Sequence, residues 1–479
     1  MYKFFIYLFF FLCCSSLSAQ DRQKVYYNTK DAFANPEIVY NLDLSGQDVI
    51  VLSDSIGLLK NLIHLDLSLN KINTLPKSIG DLKYLRILNL TTNALLNFPV
   101  EILRCSALEE LYLGNNRIES LPKNIDILKD LVILSAYNNQ LYTIPSSIEN
   151  LDALIELDLN QNNIRIFPKA IAKLDKLEVL NISNNRMKYI HKSIQLPVTL
   201  TVLNLEDNFF TSFPQLFSCV ELMDLELSGN NISTIPREIN QLKELQYLNL
   251  SRNNLSSLNS NIYLLKKLNN LDLSYNHISK FDRIDNLKQI KEVNLANNEI
   301  VEMPQLGQLY FLESVDLSNN LIKKCSFSNN NLQALTYIDL SNNLIEEFPK
   351  ELTEVRNLKT LNLEHNKIEL LPKNLLNLLH LEVFNCSFNK LIATNVTIEL
   401  PISLKELNFA ENKLISLNFD LSALKSLKIL YLHNNLIKQL PEQLNFISDL
   451  EQFTIKGNPL EDVEKKRLKS RFPKIETDF

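Results

Sequence analysis

The sequence predicts an α/β solenoid, a curved β–α superhelix of short repeats with its parallel strands on the concave face. Three observations predict it. An asparagine recurs at positions 70, 93, 116, 139, 162, 185, 208, 230, 253, 276, 298, 320, 343, 366, 389, 412, 435 and 458, at spacings of 23 residues apart from three of 22. Each asparagine closes the same frame of apolar residues, as in Leu62, Leu65, Leu67 and Asn70, or Leu245, Leu248, Leu250 and Asn253. The stretch that follows repeats a second pattern, as in Ile72, Leu75, Pro76, Ile79 and Leu82. One such repeat cannot bury its own apolar edge, but a stack of them can.

Each element has its own cause. The alternation around Leu65 and Leu67 is that of a short strand with one face buried. The asparagine ends the strand. Its amide carries two donors and an acceptor and is suited to bonding the backbone of its own and neighbouring repeats as a ladder; asparagine also tolerates the positive φ of a turn. The proline that follows suits the start of a helical turn, and the three-residue apolar spacing after it suits a short helix or a 3₁₀ segment. An earlier copy, Val39, Leu42 and Leu44, has Gln47 at the asparagine place and brings the array to nineteen repeats, from about 39 to 460. Nineteen strands about 4.8 Å apart span roughly 90 Å, and the wider helical returns bend the stack toward its strands. Repeats shortened to 22 residues, which end at Asn230, Asn298 and Asn320 and include Phe281-Asp282-Arg283-Ile284, should be less helical.

The ends need covers, because an open solenoid edge aggregates. Residues 20–38 are the N-terminal cap, with a helical candidate at Asp31–Ala34 and Phe33 as its plug. Residues 461–479 are the C-terminal cap and tail. Their helix, Glu461 to Phe472, covers the last repeat with Leu460, Val463, Leu468 and Phe472, with bases late as the helix dipole prefers. Residues 1–19 have the plan of a secretory signal: Lys3, an apolar run from Phe4 to Leu12, and a small residue, Ala19, before the cut. A lipid anchor at Cys13 or Cys14 is the rival reading. The run is too short to span a membrane, so the expected location is secreted, periplasmic or cell-surface.

These motifs resemble those of the leucine-rich-repeat family over nearly the whole chain after residue 19. The segment Leu121-Pro122-Lys123-Asn124-Ile125 is similar to the 23-residue class of Ras-associated and scribble-like scaffolds and of exported bacterial repeat proteins. The resemblance implies a horseshoe fold and a binding role.

Composition and motifs argue against an enzyme. The balance is globular, with 45% hydrophobic and 22% charged residues, and only 7 glycines in 479 residues leave no Gly-rich phosphate loop. The six histidines are scattered, with no metal-binding or nucleophile motif. No cofactor or metal is expected. Cys105, Cys219, Cys325 and Cys386 occupy core positions of the frame, where free thiols pack well. A net charge of −6 argues against general nucleic-acid affinity.

Alternation places the third, fifth, seventh and eighth frame positions in the concave groove. Over the repeats these hold 16 acids and 2 bases, Arg252 and Lys456. Seven of the acids (Asp43, Asp66, Asp158, Glu226, Asp272, Asp316 and Asp339) stand at the fifth position, where leucine-rich repeats often carry aspartate by scaffold habit. Selection for an acidic groove, with Asp158, Glu206, Asp207 and Glu226 as candidates, is the competing reading. Aromatics depart more sharply from the small polar residues usual there: Tyr112 and Tyr137, Tyr247 and Tyr275, then His365, Phe388, Tyr431 and His433. Phe388, without an expected partner, is hardest to explain as scaffold. Such residues anchor interfaces. The expected partner is a protein or peptide, a cationic one if the acids are selected. Carbohydrate ranks lower because the chain has no tryptophan. The alternatives are an architectural or adhesive envelope protein, or an intracellular scaffold if residues 1–19 are no signal.

Overall fold

The computed structural model describes residues 23–472, apart from 282–283, 328–331, 393–396, 420 and 448. Residues 1–22, which include the segment expected to be a secretory signal, Asp282-Arg283 and the tail from 473 lie outside the described residues. The rest folds as two compact units. The first comprises residues up to Ile164 together with Pro168–Leu177, and the second Arg165–Phe167 with Glu178 onward.

In the first unit, strands Asn41–Asp43, His64–Asp66, Ile87–Asn89, Glu110–Tyr112, Ile133–Ser135 and Glu156–Asp158 pair in parallel and in register, with Leu65, Leu88, Leu111, Leu134 and Leu157 side by side. The unbroken leucine column is the direct product of the 23-residue period. The returns are 3₁₀ turns, such as Lys77–Asp81 and Ser146–Asn150, and the prolines before them start the turn: the Pro76 carbonyl accepts from Ile79 N at 3.1 Å. In the second unit the strands run from Val179–Asn181 to Gln452–Thr454 on the same plan. Among the described residues of the shortened repeats, Asn204 to Asp224 and Asn294 to Ser314 contain no helical turn, but the repeat that ends at Asn298 keeps one at Ile284–Asn286, so a length of 22 residues does not by itself remove the turn. The return after Asn253, which lacks proline, still forms a turn at Ser260–Leu264 because Asn259 caps it.

The asparagines form the ladder. Asn116 Nδ2 donates to the carbonyls of Leu90 (3.0 Å), Leu113 (3.0 Å) and Gly114 (3.1 Å), while its Oδ1 accepts from Leu95 N (3.0 Å). Asn253 repeats this with Leu227, Leu250, Ser251 and Ile232. The conformational reading needs a correction. Positive φ falls on the residue before each ladder asparagine, at every repeat from Gly46 to Gly457. The asparagine is there for its amide.

Both ends differ in part from expectation. At the N-terminus a strand, Val25–Tyr26, pairs with Asn41–Leu42 and extends the sheet by one. Tyr26 and Ala32 are buried, whereas Phe33 is only half-buried. The helix here, α1 (Thr29–Ala34), is capped by Asn28, and its last turn directs Ala32 inward. At the C-terminus, α2 (Asp462–Arg471) buries Leu468, with Leu460 and Phe472 buried at its flanks, but leaves Val463 78% exposed. The covering face follows the four-residue spacing 460, 464, 468, 472, so Glu464 takes the inner place. Glu464 accepts from Leu440 N at 3.1 Å, and Arg467, paired with Glu464, donates to the Leu440 carbonyl at 3.1 Å. The ion pair thus closes backbone groups that a further repeat would have met. Cys105, Cys219 and Cys386 are buried free thiols, and Cys325 is half-buried. Burial pushes the Cys105 and Cys219 thiols up to about 11. No helix among the described residues is long and apolar enough to cross a membrane.

Candidate functional site on the strand face

The fifth frame position is a turn cap. Its side-chain oxygen accepts the backbone N–H two residues on, as Asp66 does from Ser68 (2.8 Å), Asp158 from Asn160 (3.1 Å), Glu226 from Ser228 (3.0 Å) and Asp339 from Ser341 (2.8 Å). Asparagine does the same at Asn89, Asn249 and Asn385. Neighbouring caps also bond one another: Asn89 donates to Asp66, Asn249 to Glu226 and Asn362 to Asp339. The frequent acid at this position therefore has a local structural cause. The seventh position is not a groove position where its residue is small: Ser183, Ser228 and Ser387 are each at most 2% exposed.

The candidate residues fall into separate patches. In the first unit Tyr112 Oη donates to Glu110 (2.8 Å), and Tyr137 Oη accepts from Asn115 (3.1 Å). Gly114 makes room for Tyr137, since a Cβ there would collide with the Tyr137 ring. Burial, with Glu110 and Glu156 beside it, raises the Tyr112 phenol. Burial foremost, and also the Glu156 carboxylate, raise Asp158 to about 6, against the Asn160 hydrogen bond that lowers it.

In the second unit Arg252 pairs with both Glu206 (2.9 Å) and Asp207 (3.2 Å). Those two acids are therefore partly neutralised from within the chain. Gly229 clears space for Asp207. Tyr247 Oη donates to Glu226 at 3.3 Å, and Glu226 is raised mainly by burial. Tyr275 stands 58% exposed at φ 54°. Further on, Phe388 does have a partner: it stacks on His365 with ring centroids 4.0 Å apart and planes 14° apart. Glu364 lies 3.8 Å from His365. Tyr431 meets His433 edge to face at 6.3 Å, and both are held from the side, by Gln452 and Thr454.

Two surface residues escaped the sequence reading. Tyr337, at the third position like Tyr247, donates to Asp339 at 3.3 Å; its frame position alone identifies it. Leu69, 62% exposed at φ 56°, holds the eighth position like Phe388 and Tyr275. The eighth position could not be singled out without the backbone angle.

A leucine-rich-repeat family model matches residues 138–187, 198–255 and 311–368. No curated protein matches the chain. A solved leucine-rich-repeat protein of Leptospira interrogans is 32% identical, with a TM-score of 0.62, over 95% of this chain and 100% of that one. YopM of Yersinia enterocolitica is 25% identical, with a TM-score of 0.66, over 90% of each chain. The Arabidopsis thaliana receptor kinase HAESA, solved with the peptide hormone IDA and the co-receptor SERK1, is 25% identical, with a TM-score of 0.68, over 91% of this chain and 76% of that one. With the strand register, the asparagine ladder and these relatives together, the chain is a member of the leucine-rich-repeat family.

Proposed function

We propose that this protein is an exported, non-enzymatic binding protein whose strand face recognises a cationic protein or peptide. One observation carries the reading. At the eighth position the backbone is left-handed, and glycine or asparagine fills it in many repeats, among them Gly229, Asn115 and Asn342. Tyr275 and Phe388 adopt the same conformation at φ 54° and 52°. A bulky residue there costs about 1 kcal/mol or more; Tyr275, 58% exposed, recovers little of it by packing, and Phe388, 40% exposed, recovers part through its stack on His365. An exposed aromatic kept against a backbone cost is suited to contact with a partner. Glu364, Glu406 and Glu411 stand at neighbouring frame positions and supply negative charge. HAESA, solved with a peptide hormone, supports a peptide or protein partner.

The test is capture from cell-surface and secreted extracts with the full-length chain and with a Tyr275→Asn, Phe388→Asn variant. A partner held by the first, released by salt and lost by the folded variant is expected. Equal retention overturns the aromatic anchors, and capture of nothing turns the reading to an architectural array. Export is tested separately by N-terminal sequencing of the protein recovered from a producing cell. A start at Gln20 is expected, and an intact Met1 in the cytosol overturns it.

A further inference from the structure

We propose that the flank of the repeats around Arg165, Arg186 and Lys188 is a second binding site, which takes an acidic peptide segment bearing an apolar side chain. These residues do not belong to the strand face. They follow the ladder asparagines Asn162, Asn185 and Asn208, where the chain leaves the turn. Residues 163–166, 186–189 and 209–212 read Asn-Ile-Arg-Ile, Arg-Met-Lys-Tyr and Phe-Phe-Thr-Ser, with no acid among them. Met187 and Phe210 turn into the core, while Ile166, Tyr189 and Phe209 stand 77%, 60% and 50% exposed. The three cations and the three apolar residues line one open cavity of about 440 Å³, all within the second unit. That volume lies in the range of ligand clefts, roughly 300–1,000 Å³.

Charge decides the occupant. Some exposed cations elsewhere pair with acids of a neighbouring repeat, as Arg104 does with Asp81 (2.7 Å) and Lys405 with Glu382 (2.8 Å). Among the described residues no ion pair forms at Arg165, Arg186 or Lys188. Two guanidinium groups and an ammonium favour carboxylates. Half of the lining is apolar, which a polyanion would leave unfilled. Three cations also fall short of the six to ten phosphate contacts, roughly, of a salt-sensitive nucleic-acid binder. A peptide with acids on either side of a leucine or phenylalanine satisfies both halves.

The test is fluorescence anisotropy of a labelled hexapeptide, leucine-phenylalanine flanked by two glutamates on each side, titrated with the full-length protein. Arg165→Glu, Arg186→Glu, Lys188→Glu together should weaken binding about tenfold or more, and Tyr189→Ala by a few-fold. A milder Arg186→Gln, Lys188→Gln variant, with circular dichroism confirming the fold, guards against a folding defect and should still weaken binding. Phe388→Asn on the strand face should leave this affinity unchanged. Unchanged affinity in the flank variants overturns the proposal, as does loss in Phe388→Asn. Tighter binding of single-stranded DNA or phosphatidylglycerol vesicles at the same salt overturns the peptide assignment.

Discussion

Two columns of the strand face, a half-buried fifth position and an eighth position that is exposed in many repeats, have opposite structural accounts. At the fifth position, aspartate, asparagine and glutamate each accept a turn N–H and bond the cap of the next repeat. Acid there is explained by the turn. At the eighth position the backbone is left-handed throughout, and Leu69, Tyr275, His365 and Phe388 occupy it at a cost that glycine or asparagine would avoid. The same solenoid thus separates residues kept for folding from residues that folding does not explain. Acid content by itself is a poor guide to a binding surface in such a protein.

Three substitutions sharpen or break this contrast. The largest loss is expected for Asn116→Ala, which orphans the carbonyls of Leu90, Leu113 and Gly114 and the Leu95 N–H. Thermal or urea unfolding should show a loss of about 1–3 kcal/mol. A neutral result would mean the ladder is not what selects asparagine.

Asp158→Asn comes next, and acts in the other direction. Asparagine keeps the cap, as Asn89 shows. The raised pKa of Asp158, about 6 against an ordinary value of 3.8, means that burial penalises the charged form. Its contribution to stability is therefore present below about pH 4 and lost as pH rises through about 6. Asp158→Asn should raise stability at pH 7 by roughly 1–2 kcal/mol and flatten the stability profile between pH 4 and 6. Destabilisation at pH 7 would show that the carboxylate is needed by the fold.

Phe388→Asn is the smallest expected effect on stability and the most telling for function. It should raise stability by up to about 1 kcal/mol through relief of the left-handed backbone, less the His365 stack it removes. It should also weaken partner capture. A clear loss of stability would make Phe388 a packing residue and place it with the fifth column.

The repeat count, strand positions, proline-led returns and ladder asparagines are all legible in the sequence, because each follows from periodic spacing. The ends are less so. Val463 reads as apolar cover, yet the helix turns it outward and buries Glu464 against Leu440. The extra strand Val25–Tyr26 carries no repeat signal and forms because the first repeat leaves an edge to pair. Among the candidate site residues, their frame positions are readable but their pairings are not. Glu206 and Asp207 look like free acids until Arg252 is seen beside them. Phe388 looks solitary until His365 lies under it.

The sequence by itself therefore determines the architecture, because a period of 23 residues places every leucine and asparagine beside its counterpart and leaves the stack one way to bury them. The tertiary structure decides which surface residues are already satisfied, because that depends on neighbours one repeat away and on backbone angles that the period does not reveal. Asp158 and Phe388 show the division most clearly. Both stand out in the sequence as candidates. Only the folded chain separates the carboxylate that caps a turn from the ring held exposed in a left-handed backbone.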